Sequence, residues 1–326
     1  MEKRKVDLVL EGGGVKGIAL VGAAAVLVEN GYEFQRIAGS SAGAVVGSIM
    51  AAMQQANEPI SRVHDIMCSL DYARLLDRRP ATKRLAWWPK AADAWGIVRH
   101  LGAHPGDYLQ DWLTGILGDL GVNTFADFWF DDPGSALPPE QSFRMVATAS
   151  DLSRQRLMVL PWDLPAYGRN PLRYPVARAV RASTAIPFLF EPVRLKSAHG
   201  TATLADGGIL RSYPISVFDR TDDQPPRWPT IGIRLSSPAK ESAPAKPVTG
   251  PVSLLWNLVY TTVDSTQVRH VNDPFDVERS IFAKPRGVRW TDFDLTTEQQ
   301  VELFEAGRRA ATKWVASHPD GPPSRS

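Results

Sequence analysis

The N-terminal part of the chain alternates between short apolar runs and longer stretches that are rich in small residues. Residues 6–10 form a largely apolar run of strand length and residues 34–38 form a second predicted short strand, whereas residues 15–29 and 42–56 have the length of helices. Small residues occupy several faces of both helical stretches, which allows close packing on a sheet. This order of strand, glycine turn, helix, strand, serine turn and helix predicts a parallel sheet with right-handed crossovers.

Strand and helix patterns return in the second half of the chain. The predicted elements are strands over 142–149, 156–160, 201–205 and 230–235, and helices over 176–185, 252–271 and 297–316. Their alternation makes α/β the predicted fold class.

The stretch over residues 61–139 differs from its surroundings, because prolines and glycines break it often. We interpret it as irregular helices that form a cap or insertion. Residues 236–250 are rich in Pro, Ala, Lys and Ser, which predicts a flexible loop, and residues 319–326 are predicted to be a disordered tail. The sequence thus predicts a single domain over residues 1–318.

Charge and cysteine content exclude several classes of function. The 326 residues include 37 basic and 35 acidic side chains, a net charge of +2, so bulk charge gives no case for nucleic-acid binding. Cys68 is the only cysteine, which excludes an intrachain disulfide and a cysteine-based metal site. No secretory signal and no apolar run of membrane-spanning length are visible, so we expect a cytoplasmic or peripheral membrane protein.

A serine motif follows the second predicted strand. Gly39-Ser40-Ser41-Ala42-Gly43 matches the Gly-x-Ser-x-Gly turn, in which small residues surround a nucleophilic serine between a strand and a helix. Ser41 has glycines two positions before and two positions after it, whereas Ser40 does not. Ser41 is therefore the candidate nucleophile. The alternative is a serine N-cap at the start of a small-residue helix.

A glycine turn follows the first predicted strand and allows two interpretations. Its backbone N–H groups could form an oxyanion hole for an acyl hydrolase. Gly12, Gly14 and Gly17 also satisfy Gly-x-Gly-x-x-Gly, the fingerprint of a nucleotide-binding oxidoreductase. That fingerprint needs an acidic residue at the end of the second strand, where this chain has Gly39 and Ser40 instead.

The sequence does not identify a histidine as the base for the serine. None of the six histidines lies in a glycine-rich loop typical of an active site. Asp206 ends a predicted strand and precedes Gly207 and Gly208, so its carboxylate could lie at the edge of a strand with room for a substrate. An ordinary Asp-Gly turn is the alternative.

These elements, in this order, resemble the patatin-like phospholipase family. The resemblance lies in residues 12–17, 39–43, 180–187 and 206–208, and it extends over roughly residues 6–60 and 142–235. It implies a three-layer α/β/α fold with a mainly parallel central sheet, and hydrolysis of acyl esters in phospholipids, lysophospholipids or related lipids. It also implies a Ser41–Asp206 dyad that works without histidine, metal or cofactor.

The resemblance assigns a role to each motif residue. Ser41 would attack the acyl carbonyl and Asp206 would accept its proton. Backbone N–H groups of Gly12, Gly13, Gly14 and Ala42 would form the oxyanion hole. The remaining motif glycines are Gly17, Gly39, Gly43, Gly207 and Gly208.

A basic segment within the predicted cap suggests contact with lipid. Residues 78–99 hold six cations and one acid, interleaved with Trp87, Trp88 and Trp95. Indoles beside cations suit the headgroup region of a membrane, so these tryptophans are candidates for a lipid interface. A solvated basic face on an ordinary cap is the alternative. The expected partner is a lipid or other acyl-ester substrate, with no nucleic acid.

Overall fold

The computed structural model describes residues 3–77, 97, 99–132, 134, 137–198, 200–220, 226–235, 261 and 273–323. The chain begins with four elements in the predicted order: β1 (Arg4–Leu10), α1 (Gly17–Glu29), β2 (Tyr32–Ser40) and α2 (Ala42–Gln55). β1 and β2 pair in parallel. The predicted crossover at the start of the chain is confirmed.

A mixed but mainly parallel sheet forms the centre of the molecule, which confirms the predicted α/β fold class. Its strands after β2 are β4 (Met145–Asp151), β5 (Arg156–Leu160), β7 (Val193–Ser197), β8 (Gly200–Asp206), β9 (Thr230–Arg234) and β10 (Ser280–Phe282). The order is β10-β9-β1-β2-β4-β8-β7, with β5 also paired to β4. β10, β9, β1, β2 and β4 are parallel, whereas β5 and β8 run antiparallel to β4.

The helices after α2 are α3 (Arg62–Ser69), α4 (Asp107–Asp119), α5 (Val176–Ser183), α6 (Gly208–Arg211), α7 (Pro274–Glu278) and α8 (Thr297–Ser317). α8 packs directly on α1, because glycines let the two backbones touch. A Cβ on Gly22 would lie 2.0 Å from the carbonyl oxygen of Phe304, and one on Gly307 would lie 1.9 Å from that of Ala19. This contact fixes the C-terminal helix against the first crossover.

Strands β1 and β2 contain a buried pair of charged side chains. Asp7 on β1 forms a two-pronged ion pair with Arg36 on β2, and both side chains are buried. The guanidinium group of Arg36 also lies over the rings of Phe218 and Trp228. These two rings therefore cover the buried ion pair.

The structure adds strands that the sequence analysis missed. β7 lies at the edge of the sheet, and a separate pair joins β3 (Gly102–His104) to β6 (Phe188–Phe190) in parallel. This second pair links the predicted cap to the core. The predicted loop over 236–250 lies outside the described residues, as does the helix over 252–271 apart from residue 261.

Neither a membrane span nor a metal cluster is found in the described part of the chain. No helix there has the length and apolar character needed to cross a bilayer. The same residues contain no group of three or more His, Cys, Asp or Glu side chains placed to hold a metal ion.

Candidate active site

The serine turn has the tight geometry that its small residues indicate. Ser41 stands between β2 and α2 with φ +51° and ψ −122°, a backbone conformation that costs free energy for a residue with a side chain. A Cβ on Gly39 would lie 2.3 Å from the carbonyl carbon of Gly43, and one on Gly43 would lie 2.3 Å from the carbonyl oxygen of Leu10. Only glycine fits at both positions, so the motif reflects backbone crowding around Ser41.

Ser41 and Asp206 are in direct contact. The Ser41 hydroxyl donates a hydrogen bond to Oδ2 of Asp206 at 2.6 Å. The other carboxylate oxygen, Oδ1, accepts the backbone N–H of Gly208 at 2.7 Å. Ser41 is 7% exposed and Asp206 is 5% exposed, so the pair is buried rather than open at a strand edge as the sequence suggested.

Two strand ends that meet on β4 bring these residues together. β2 pairs with the first half of β4 and ends with Ser40 opposite Thr148. β8 pairs with the second half of β4 and ends with Asp206 opposite Ala149. β5 occupies the other edge of β4 over the same residues, so β2 and β8 share one edge and approach each other from opposite directions. Their carboxyl ends therefore meet at neighbouring positions.

Burial changes the acidity of the carboxylate. Burial raises the pKa of Asp206 from 3.8 to about 6, while the hydrogen bonds from Ser41 and from the Gly208 backbone act in the opposite direction. Asp206 is therefore largely ionised at neutral pH and is a stronger base than an exposed aspartate.

Hydrogen bonds from neighbouring elements hold the pair in place. Ser183, the last residue of α5, accepts the backbone N–H of Ser41 on its Oγ at 2.9 Å. The N–H of Asp206 donates to the carbonyl of Ala185 at 2.8 Å, and the Ser150 hydroxyl donates to the carbonyl of Asp206 at 2.8 Å. The sequence analysis did not identify Ser150. Ser183 lies in the segment over residues 180–187 that resembles the family, but no local pattern indicated its role.

The glycine loop lies against the serine, but its amides differ in their contacts. A Cβ on Gly12 would lie 3.2 Å from Cβ of Ser41. The N–H of Gly12 donates to the carbonyl of Ser212 at 2.9 Å, so the assignment of Gly12 as an oxyanion donor is revised. Within the described part of the chain, the N–H groups of Gly13, Gly14 and Ala42 have no hydrogen-bond acceptor.

The same loop does not suit a dinucleotide. The N–H of Val15 donates to the carbonyl of Trp290 at 3.1 Å, and the N–H of Gly12 is also engaged. A Cβ on Gly14 would lie 2.2 Å from the carbonyl oxygen of Trp290, so protein backbone covers the loop where a pyrophosphate would bind. Two backbone N–H groups of the loop, those of Gly12 and Val15, are therefore not available to bind a dinucleotide.

A largely apolar pocket opens beside Ser41. Residues from the glycine loop, α2, α3, α4 and the segment after α5 line it: Gly14, Val15, Ser41, Ala42, Val45, Met67, Leu70, Tyr72, Leu75, Leu109, Thr184, Ile186, Phe190 and Phe293. The cavity suits an apolar group attached to whatever reacts at Ser41.

Other sequence candidates lie elsewhere. The Ser40 hydroxyl is buried without a partner among the described residues, beside Gly207 rather than Asp206. His64 contacts Cys68 and Phe304, and His318 stacks on Trp314, so neither histidine reaches the site. Trp87, Trp88 and Trp95 lie outside the described residues, and the lipid interface assigned to them stays a prediction.

The fold and the site define an α/β protein with a serine on a strained strand-to-helix turn beside a buried carboxylate. Residues 8–219 match the family model described as Patatin-like phospholipase. The chain belongs to this family, as the resemblance predicted. Membership supports a lipid acyl hydrolase as the general class of enzyme.

The sequence relatives match most of the chain. YqhO of Bacillus subtilis is 36% identical over 307 residues, covering 93% of this chain and 96% of YqhO. The NTE family protein Mb1092c of Mycobacterium bovis is 27% identical over 252 residues, covering 77% of this chain and 54% of that protein.

Solved structures share the fold. VipD from Legionella pneumophila matches with a TM-score of 0.53 at 18% identity, over 98% of this chain and 67% of that one. A chain of the complex of SpcU with ExoU, from the type III secretion system of Pseudomonas aeruginosa, matches with a TM-score of 0.50 at 17% identity. That match covers 99% of this chain and 54% of the other.

Proposed function

We propose that this protein hydrolyses carboxylic esters of phospholipids, lysophospholipids or related acyl lipids through a Ser41–Asp206 dyad. The observation that carries the proposal is the 2.6 Å hydrogen bond from the Ser41 hydroxyl to Oδ2 of Asp206. The apolar cavity beside Ser41 supports an acyl chain as the group that is held during the reaction.

The first half of the reaction transfers the acyl group to the enzyme. Asp206 takes the proton of Ser41 as Oγ attacks the carbonyl carbon, which gives a tetrahedral intermediate with negative charge on its oxygen. That oxygen accepts hydrogen bonds from the N–H groups of Gly13, Gly14 and Ala42. Asp206 then gives its proton to the departing alcohol oxygen, which leaves an ester between the acyl group and Ser41.

The second half releases the acid. Water replaces the alcohol, Asp206 takes one of its protons, and the resulting hydroxide attacks the acyl carbonyl. Collapse of the second tetrahedral intermediate breaks the bond to Oγ, and the proton on Asp206 returns to Ser41. The fatty acid leaves and the free enzyme is restored.

The dyad is tested by substituting each partner and measuring turnover of a soluble p-nitrophenyl ester. Ser41→Ala should abolish turnover and labelling by a fluorophosphonate, because no nucleophile is left. Asp206→Asn should lower turnover by roughly 10³-fold or more, because the amide accepts no proton. Mass analysis of the products from a mixed lipid extract then identifies the substrate.

The matched control is Ser40→Ala, which removes the adjacent hydroxyl that has no partner among the described residues. This variant should keep its turnover and its fluorophosphonate label at Ser41. Full activity in Ser41→Ala rules out the proposed nucleophile. So does finding the fluorophosphonate label on Ser40, and not on Ser41, in the wild-type protein.

A further inference from the structure

A second groove lies between the start of α5, the loop before it and the edge strand β7. Its lining includes five cations. No carboxylate is among its lining residues in the described part of the chain. The cations are Arg169, Arg173, Arg178, Arg194 and Lys196.

These cations are not neutralised by nearby acids. Arg154 and Arg156, which precede the groove in the sequence, pair with Asp151 and Asp163. In contrast, none of the five groove cations forms an ion pair with a carboxylate of another described residue. The groove therefore concentrates positive charge on a protein whose net charge is only +2.

Two of the arginines are held in position by the backbone of β7. Arg169 donates from Nε and Nη2 to the carbonyl of Lys196 at 3.2 and 2.8 Å. Arg178 donates from Nη2 to the carbonyl of Arg194 at 3.4 Å. Backbone carbonyls leave the guanidinium charge intact, so both groups stay available to an anion.

A buried hydroxyl in the lining points to a ligand. Tyr174 is 7% exposed and lines the groove, and its hydroxyl lies beside the Arg178 guanidinium, with no acceptor for its own proton among the described residues. Burial raises the pKa of this hydroxyl, while the charge of Arg178, a hydrogen bond from Arg178 and the charge of Arg169 act in the opposite direction. The hydroxyl stays protonated at neutral pH, and an anionic oxygen in the groove would accept its unused hydrogen bond.

We propose that this groove binds a phosphate group, carried by an anionic lipid headgroup or by a free phosphate ester. Phosphate fits because it brings multiple charge and several acceptor oxygens, which arginine forks match. The loop beside the cations also exposes Leu172 at 39%, an apolar side chain suited to a lipid surface. The proposal does not depend on the reaction at Ser41.

The groove and the candidate active site lie at opposite ends of α5. The groove borders Pro175 at its start, and Ser183 at its end accepts the Ser41 N–H. Eight residues of helix span roughly 12 Å. A phosphate held in the groove would thus lie about the length of one short helix from the residue that accepts the Ser41 N–H.

The experiment measures binding to vesicles in a Ser41→Ala background, which keeps the lipid intact. Vesicles of phosphatidylcholine with and without phosphatidylglycerol are the membrane probes, and glycerol 3-phosphate, followed by calorimetry, is the soluble one. The test variant is Arg173→Gln/Arg194→Gln/Lys196→Gln, which changes exposed side chains that hold no described element in place. The matched control removes three exposed cations on β1 and α8: Lys5→Gln/Arg309→Gln/Lys313→Gln.

We expect binding to the phosphatidylglycerol vesicles and not to phosphatidylcholine alone. The groove variant should bind roughly 100-fold more weakly, since each cation near an anionic surface contributes about fivefold. Tyr174→Phe, which keeps the ring but removes the hydroxyl, should bind roughly tenfold more weakly. The control variant should bind like its parent.

The soluble probe separates the two sources of phosphate. Binding of glycerol 3-phosphate without vesicle binding, lost in the groove variant, supports the site with a free ester as its ligand. Equal binding by the groove and control variants overturns the proposal. Failure of both probes to bind the parent protein overturns it too.

Discussion

At the scale of single residues, the candidate site depends on the environment of one carboxylate. Asp206 is buried, with one oxygen bound by the Ser41 hydroxyl and the other by the Gly208 N–H. These two bonds offset only part of the cost of burying a charge. The carboxylate is therefore a better base than an exposed one, and it is also a weak point in the stability of the fold.

The first consequence is a pH dependence of turnover. Burial raises the pKa of Asp206 to about 6, and only the ionised carboxylate accepts a proton. With a soluble ester, kcat/KM should rise about tenfold per pH unit at acidic pH and level off above a pKa of about 6. A profile that stays flat through this region contradicts the role of Asp206 as base.

The second consequence is that Asp206→Asn should stabilise the protein. The pKa of Asp206 rises from 3.8 to about 6 on folding, so the folded state binds the proton more tightly than the unfolded state. The stabilisation from that proton is complete below pH 3.8 and is lost as pH rises through about 6. The neutral amide avoids the loss, which amounts to about 3 kcal/mol at neutral pH.

Thermal unfolding at two pH values checks this prediction. Above pH 7 the midpoint of Asp206→Asn should exceed that of the wild type, and near pH 4 the two midpoints should converge. The amide oxygen of the substituted side chain still accepts the Gly208 N–H, so that bond does not separate the variant from the wild type. A variant that is less stable at both pH values shows that the buried charge is not the dominant cost.

At the scale of elements, the serine turn depends on how closely α2 approaches β1. A Cβ on Gly43 would lie 2.3 Å from the carbonyl oxygen of Leu10, and two backbones cannot yield as a side chain can. Gly43→Ala should therefore lower the free energy of unfolding by about 3 kcal/mol and displace Ser41. Denaturant titration measures the first effect, and ester turnover the second.

Gly115→Ala in α4 is the matched control for this substitution. Nothing lies within 4 Å of a Cβ at Gly115, and alanine favours helix over glycine. This change should raise the free energy of unfolding by about 0.5–1 kcal/mol. If both variants lose the same stability, crowding at the turn is not the reason for the motif.

The same scale explains which strands the sequence predicted. Most residues of β1, β2 and β9 are buried, and each strand includes at least two apolar residues, so its pattern is recognisable. β7 has a single buried residue, Leu195, and β6 is three residues long, so neither contains a recognisable pattern. Short edge strands are defined by their partners, which a local pattern does not include.

The site shows the same division. Ser41 and Asp206 could be found because the glycines that crowd around them leave a local mark in the sequence. The hydrogen bond from the Gly12 N–H to the carbonyl of Ser212 could not be predicted, because Ser212 lies far from Gly12 in the sequence. Ser183 was likewise hidden, since its contact with the Ser41 N–H exists only when α5 packs beside α2.

At the scale of the whole molecule, a buried arginine joins the predicted cap to the core. Arg181 on α5 is 4% exposed, and its guanidinium donates to the carbonyl of Pro105 and, at 2.8 Å, to that of Glu191. Burial lowers the pKa of Arg181 to about 10, with the charge of Asp77 among those acting against this effect, so it stays charged at neutral pH. Asp77 in turn accepts the N–H groups of Gly106 and Tyr108 at 2.9 and 3.0 Å.

Arg181→Gln should therefore destabilise the whole fold. The shorter amide leaves buried carbonyl groups without donors, and the expected loss is about 3 kcal/mol in the free energy of unfolding. Arg62→Gln is the control, because the Arg62–Glu58 pair is exposed and its loss should cost about 0.5 kcal/mol. Equal losses in the two variants mean that Arg181 does not anchor the cap.

The meeting of β2 and β8 on one edge of β4 has a consequence for synthesis in the cell. The hydroxyl and the carboxylate that it joins are 165 positions apart along the polypeptide. The ribosome therefore synthesises Ser41 long before Asp206, and the candidate pair is incomplete in the nascent chain. The proposed catalytic pair forms only after both strands have docked on β4, so the proposed hydrolysis requires the folded sheet.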